Sequence, residues 1–227
     1  MELYDDYVGF KGWPDISANP DISANADWFD FVARRALSPG VKRILEIGFG
    51  RGDFLDWASA KGHVISGVEI IPELVARAKA KGHDASLAPF VASGDRYDAI
   101  FAFDVIEHLT VPEAANFFEN AAKSLNDGGV VVLQFPNGQS PFSGLQQHGD
   151  ITHQRFLTPG ALELISRPNN LKLVDAFNPR PLPGGLRKLK KLVVYVMRDA
   201  IETLIGLAYF GRRIPMDSAI VAVYSTH

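Results

Sequence analysis

Between Val41 and Ser225 short runs of apolar residues alternate with stretches in which apolar residues recur every three or four positions. The first pattern is that of buried strands and the second that of amphipathic helices. Strands are predicted at 43–48, 63–69, 83–87, 98–103, 129–135, 171–177 and 218–225, and helices at about 26–37, 52–61, 72–81, 111–125, 159–166 and 186–209. Regular alternation of the two argues for an α/β fold, a three-layer sandwich with a seven-stranded, mainly parallel sheet. The last run, Ala219 to Tyr224, is apolar throughout, which suits an internal strand. Thr158-Pro159 reads as an N-cap followed by a first-turn proline.

The chain has 227 residues and is 47% hydrophobic, enough for one full core. The expected organisation is a leader at 1–25, then a single domain at 26–227 that carries a helical insertion at about 186–209. The leader holds a direct repeat, Pro14 to Asn19 followed by Pro20 to Asn25, too short for a solenoid. A net charge of −3 carries no footprint for nucleic acid, which is not expected as a partner. Cysteine is absent, so disulfides, thiolate metal sites and cysteine nucleophiles are excluded. Met1 to Asp6 lacks the basic start and apolar stretch of a secretory signal, and the cytoplasm is the expected compartment. The longest uninterrupted apolar run of the late helix, Leu192 to Met197, stops at Arg198, well short of the ~18 residues that span a bilayer. That helix is amphipathic with a basic start, Arg187-Lys188-Leu189-Lys190-Lys191. Its ordinary reading is packing on the domain or on a second subunit, as in a homodimer. The alternative is peripheral contact with an anionic membrane, at the inner face.

Chemistry concentrates first at Arg43 to Leu55, a strand, a glycine turn at Gly48, Gly50 and Gly52, then a helix start. Glycines let the backbone turn sharply and approach a ligand, and the helix presents free amides. The dinucleotide fingerprint would need a glycine at 53, where Asp53 stands instead, which argues against NAD. Acids here, Glu46 and Asp53, suit a ligand that carries a sulfonium and an ammonium. Glu69 follows Gly50 by nineteen residues, at a strand end where an acid binds both hydroxyls of a ribose.

Leu45-Glu46-Ile47-Gly48-Phe49-Gly50-Arg51-Gly52 with Gly67-Val68-Glu69 resembles the first two motifs of class I S-adenosylmethionine (SAM)-dependent methyltransferases, which are Rossmann-like. Phe103-Asp104-Val105-Ile106-Glu107-His108-Leu109 resembles the branch that includes ubiquinone-biosynthesis O-methyltransferases and bacterial surface-glycan methyltransferases. The resemblance implies SAM as cofactor, with Glu46, Gly48, Gly50, Gly52, Glu69, Ile70, Asp104 and Val105 around it. Asp84 and Ser86 are the candidates near adenine, where the family pattern has no clear match. Some relatives are associated with a divalent cation at the acid-histidine cluster. Asp104, Glu107 and His108 could supply ligands, but the preferred reading is a loop that packs on the cofactor and caps the next helix, with no metal.

After the fifth strand a Gly, Ser and Gln-rich loop leads to His148-Gly149-Asp150-Ile151-Thr152-His153, placed to cover the acceptor. Similar segments, closed by a Phe-x-Thr-Pro helix start, occur in glycan-modifying members of the branch. Methyl transfer to an aliphatic hydroxyl needs its proton removed. His153 is the first candidate base and His148 the second, with Asp150 orienting one of them; the other reading is that these residues pin the loop. The expected function is O-methylation, with a sugar hydroxyl of a surface glycan or its precursor as acceptor. A quinone precursor or other small phenol is the alternative substrate, and a SAM-binding module without chemistry the alternative class.

Overall fold

Strands form where the sequence places alternating or continuous branched residues, and each sends successive side chains to opposite faces. The computed structural model describes residues 22–182 and 187–226, so the repeat's first copy lies outside the described residues. The elements are α1 (Ile22–Ala36), β1 (Arg43–Ile47), α2 (Asp53–Ala60), β2 (Val64–Glu69), α3 (Pro72–Ala80), β3 (Asp84–Leu87) and β4 (Tyr97–Phe103). There follow α4 (Val111–Ser124), β5 (Leu125–Pro136), α5 (Gly144–His148), α6 (Pro159–Ser166), β6 (Lys172–Phe177), α7 (Arg187–Phe210) and β7 (Ala219–Ser225). Short 3-10 turns at Ile106–His108 and Arg167–Asn169 complete the list.

The seven strands form one sheet in the order β3-β2-β1-β4-β5-β7-β6. All neighbours are parallel except β7, which runs antiparallel to both β5 and β6. The sheet therefore matches the predicted mainly parallel one, with β7 internal. Ile44 points into a core shared with α1, α2 and α3, and its neighbour Leu45 into a second core shared with α4 and α6. The first core is rich in aromatics: Phe54 stacks on Trp57 and meets Phe101 at 4.7 Å.

Two boundaries and one added helix differ from the sequence reading. Helix α1 already includes Ile22, ahead of the expected 26, so part of the repeat's second copy is helical. Strand β5 reaches back to Leu125 through an irregularity: Tyr97 pairs Leu125 but Ala99 pairs Val130. The Asp98 carboxylate holds that corner by accepting from the amides of Lys42 and Arg43 and from the Asn126 side chain. Helix α5 was not foreseen, because Gly144 to His148 carries no apolar stripe.

Helix α7 departs most. An amphipathic helix inserted before the last strand is expected to pack on the body through its apolar stripe. Here Glu202 is buried and Asp199 half-buried, while Leu189, Val193, Met197 and Leu204 are exposed. The polar face does the docking, on Arg180 of the loop after β6.

Candidate active site

Strand order reverses direction between β1 and β4, and crevices outside the carboxyl ends of strands at such a switch point receive ligands. A cleft of about 1090 Å³ opens there. Its walls include Glu46, Gly48, Gly50, Glu69, Ile70, Asp104 and Val105, all predicted around a cofactor. Gly52 is not in the wall; it precedes α2 in a left-handed conformation.

The turn is built for close approach. Gly48 has φ 68°, and a Cβ there would lie 2.5 Å from Val105 Cγ2. Gly67 on β2 leaves room for Phe49, whose ring would be 2.6 Å from a Cβ at 67. Phe49 thereby buries itself under the turn. The Glu69 carboxylate accepts from Gly50 N at 3.0 Å through Oε2, and from Ile70 N at 2.7 Å and Ile71 N at 3.2 Å through Oε1. Three backbone amides thus hold one buried acid rigidly against the glycine turn, ready for a ligand's hydroxyls.

The floor is acidic. Burial first, then the carboxylates of Glu69, Asp53 and Asp56, push the Glu46 carboxyl well above the usual range. Glu46 Oε2 and Asp53 Oδ1 are buried without a hydrogen-bond partner, and Asp53 pairs with Arg51 at 2.7 Å. Buried acceptors with unused capacity fit a ligand that brings positive charge and N–H donors. At the far end Ala88, Pro89 and Phe90 line the cleft, with Leu109, Asn116 and Phe117 opposite. Phe90 meets Phe117 edge-on at 5.7 Å. Asp84 and Ser86, the candidates near adenine, are outside this wall; Asp84 accepts from Ser66 on the sheet edge. Strand β3 is only four residues long, so the chain past its end reaches the cleft instead.

Asp104 ends β4 at φ 54°, an uncommon conformation for a residue with a side chain, and its carboxylate accepts from Gln134 Nε2 at 3.1 Å. Beside it stand Trp28 and Phe103, 4.9 Å apart edge-on, with Asn25, His108 and Gln154.

The histidines expected to act as bases do not line the cleft. His148 is exposed at the end of α5, 5.1 Å from the Phe156 ring. His153 is buried behind the wall, with Nδ1 3.1 Å from the Gln147 carbonyl oxygen. Asp150 is buried too, and accepts from the Thr152 amide at 2.9 Å and from the Thr152 hydroxyl. That hydroxyl is also 2.8 Å from Nδ1 of His108. Because the hydroxyl's proton goes to Asp150, the network assigns the Nδ1 proton to His108, which makes Nε2 its basic nitrogen. Asp150 thus reaches His108 through the Thr152 hydroxyl, and its Oδ2 also lies 3.9 Å from Nε2 of His153.

Glu107, His108 and His153 come together, with one ligand atom from each within 4.8 Å of the others, a grouping able to hold a metal ion. Asp104, weighed as a ligand beside Glu107 and His108, is not in that group.

The wall contributed by Asn25, Trp28 and Phe29 of α1 was not foreseen, nor was that of Thr110, Glu113 and Phe117. A signal existed for the second: Thr110 and Glu113 form a capping box on α4, legible as Thr-x-x-Glu. The first has no local signal, since α1 reads as an ordinary amphipathic helix.

Residues 22–176 match the family model described as "Methyltransferase domain". The chain belongs to this family. A ubiquinone biosynthesis O-methyltransferase of Xylella fastidiosa is 23% identical over 203 residues, covering 79% of this chain and 81% of that one. Another, from a Methylobacterium species, is 27% identical over 179 residues, covering 69% and 71%. Among solved structures, a SAM-dependent methyltransferase from Archaeoglobus fulgidus superposes with a TM-score of 0.64 at 17% identity, covering 99% of both chains. The methyltransferase shares its fold with that protein, and the cleft lies where the glycine turn and Glu69 meet.

Proposed function

We propose that this methyltransferase moves the methyl group of SAM to a hydroxyl oxygen, and that the acceptor is a sugar hydroxyl of a surface glycan or its precursor. One observation carries the reading: a single cleft joins the amide-held Glu69 and its acidic floor to a wall containing His108, whose ring is oriented by Thr152 and Asp150. SAM, when bound, supplies a methyl group made electrophilic by the attached sulfonium. Glu69 would take the ribose hydroxyls, and Glu46 and Asp53 the cationic methionine end. Gly48 lets the backbone close on the ligand without a side chain between.

At the acceptor end, the aromatic wall of Trp28 and Phe103 offers a ring platform, and Asn25, Gln134 and Gln154 offer hydrogen bonds to hydroxyls. Holding the acceptor in line supplies much of the rate. A sugar hydroxyl is a weak acid, so its proton must be taken as the new bond forms; His108 is the imidazole in the wall, and the acceptor would have to reach its Nε2, which is buried in the wall. A second reading, favoured by the names of the two curated relatives, is a phenolic hydroxyl of a quinone precursor. A phenol has a pKa of about 10 and needs a base far less.

The test is methyl transfer from SAM to sugar and catechol acceptors by wild type and His108→Ala. For a sugar acceptor, loss of the base should lower kcat by about 10²–10⁴-fold. Undiminished turnover on a catechol would favour the second reading. Transfer to nitrogen acceptors with none to hydroxyls would sink both.

A further inference from the structure

Helix α7 carries its apolar residues on the outside. At about 100° per residue, Leu192, Val196, Leu189, Val193, Leu204 and Met197 fall on one arc of roughly 200° that extends to Ile201 and Val194. Each of these side chains is exposed, Leu204 to 71%, and Tyr209 at the helix end to 80%. The opposite face is fastened to the body. Arg180 binds Asp199, Glu202 and Asp217, Arg213 binds Asp199, and Tyr195 Oη donates to the Pro181 carbonyl. The orientation is therefore held by ion pairs, the one between Arg180 and Glu202 buried, and rotating the apolar arc inward would break them.

Charge identifies the occupant. The helix opens Arg187-Lys188-Leu189-Lys190-Lys191, in a protein of net charge −3. Asp199 and Glu202 are the helix's two acids, and both are engaged by arginines of the body. A second copy pairing through its own α7 would offer this basic cluster no acid that is not already engaged. Parallel pairing would bring two basic starts together, and antiparallel pairing would set one against Leu207-Ala208-Tyr209-Phe210. An anionic bilayer offers negative headgroups to the lysines and an acyl boundary to the apolar arc. No described helix is long and apolar enough to cross a membrane, so α7 would lie in its surface.

We propose that α7 docks the methyltransferase on an anionic phospholipid surface, apolar arc inward, with Lys190, which lies on that arc between Met197 and Ile201, among the headgroups. This docking does not depend on which acceptor is methylated. Its geometry bears on the site nonetheless. The chain leaving α7 is stitched to the loop after β5, whose Gln154 lines the cleft: Asn137 Nδ2 donates to the carbonyls of Pro215 and Asp217, and Ser140 Oγ to that of Met216. Phe142 of that loop shares a groove with Arg198 and Ile201 of α7 and is itself exposed. A surface-bound enzyme would hold its acceptor loop beside the bilayer, where an amphiphilic acceptor is delivered.

The experiment is co-sedimentation of the full chain with vesicles of equal parts phosphatidylglycerol and phosphatidylcholine, against phosphatidylcholine alone, at physiological ionic strength. Binding to the anionic vesicles is expected. Lys190→Glu should weaken it by about 5-fold. Met197→Asp with Leu204→Asp should abolish it, leaving melting and SAM affinity unchanged because both side chains are exposed. Failure to bind either vesicle overturns the proposal. Equal binding to both overturns the anionic assignment. A dimer in solution that the Met197→Asp, Leu204→Asp pair splits, without vesicle binding, assigns the face to a second copy instead.

Discussion

Glu46 shows how one residue can be placed against its own stability. It is buried on β1 beneath the cleft, and burial first, then Glu69, Asp53 and Asp56, raises its pKa in the folded chain. A carboxyl with a raised folded pKa binds a proton that the unfolded chain has already released. Its contribution to stability is complete below the unfolded value and is lost as pH rises through the folded value. Glu46→Gln cannot ionise, so its Tm should exceed that of wild type by a margin that grows as pH is raised. Each ~1 kcal/mol gained amounts to roughly 2–4 °C in a domain of this size. A margin that shrinks on going from acid to neutral pH, followed by calorimetry, would sink this account. The acid is tolerated because a cationic ligand reverses the balance: positive charge nearby favours the ionised form.

At the scale of elements, the polar seam under α7 is the unusual joint. Burial works against the charge on Arg180, but Asp217 and Glu202 outweigh it and keep the guanidinium protonated. Asn178 adds two hydrogen bonds to Glu202, whose residue is 2% exposed. Removing one member of such a network strands the others. Arg180→Met should therefore cost about 3–5 kcal/mol in urea unfolding, with faster amide exchange over 199–206 and little change in β1 or β4. A cost below about 0.5 kcal/mol, the scale of an ordinary surface change, would mean the seam does not hold the helix. Element identity in this chain follows local rules closely, as at Thr158-Pro159, where Thr158 Oγ1 accepts from Ala161 N. Element docking does not, because α7's ion-pair partners come from 180, 213 and 217, distant in sequence.

For the whole molecule, the cofactor cleft gathers residues from α1, β1, β2, the segment after β3, α4 and β5. A ligand that bridges so many elements should stabilise the folded chain as a unit. SAM at about 100 times its Kd adds about 2.7 kcal/mol, which predicts a Tm rise of roughly 5–10 °C. Glu69→Ala should lose most of that shift, since it removes the acceptor that three backbone amides hold in place. An unchanged Tm on adding SAM to wild type would remove SAM as the ligand of this cleft.

The sequence by itself determined the strand and helix pattern, the mainly parallel seven-stranded sheet, the glycine turn and its partner Glu69. These follow from periodicities of two and 3.6 residues, and from a turn and an acid only nineteen residues apart. Tertiary structure decided what depends on distant segments meeting. His148 and His153 belong to one promising stretch of sequence, yet the wall of the cleft holds His108, reached by Thr152 across forty-four residues. Asn25, Trp28 and Phe29 line the cleft because the sheet brings α1 over the end of β4. Asp84 and Ser86 are kept out because they lie on β3 before its carboxyl end, and the cleft takes the residues that follow it, Ala88, Pro89 and Phe90. The facing of α7 was likewise undecidable from its stripe, since hydrophobic periodicity says which residues share a face and only the body's arginines say which face turns inward.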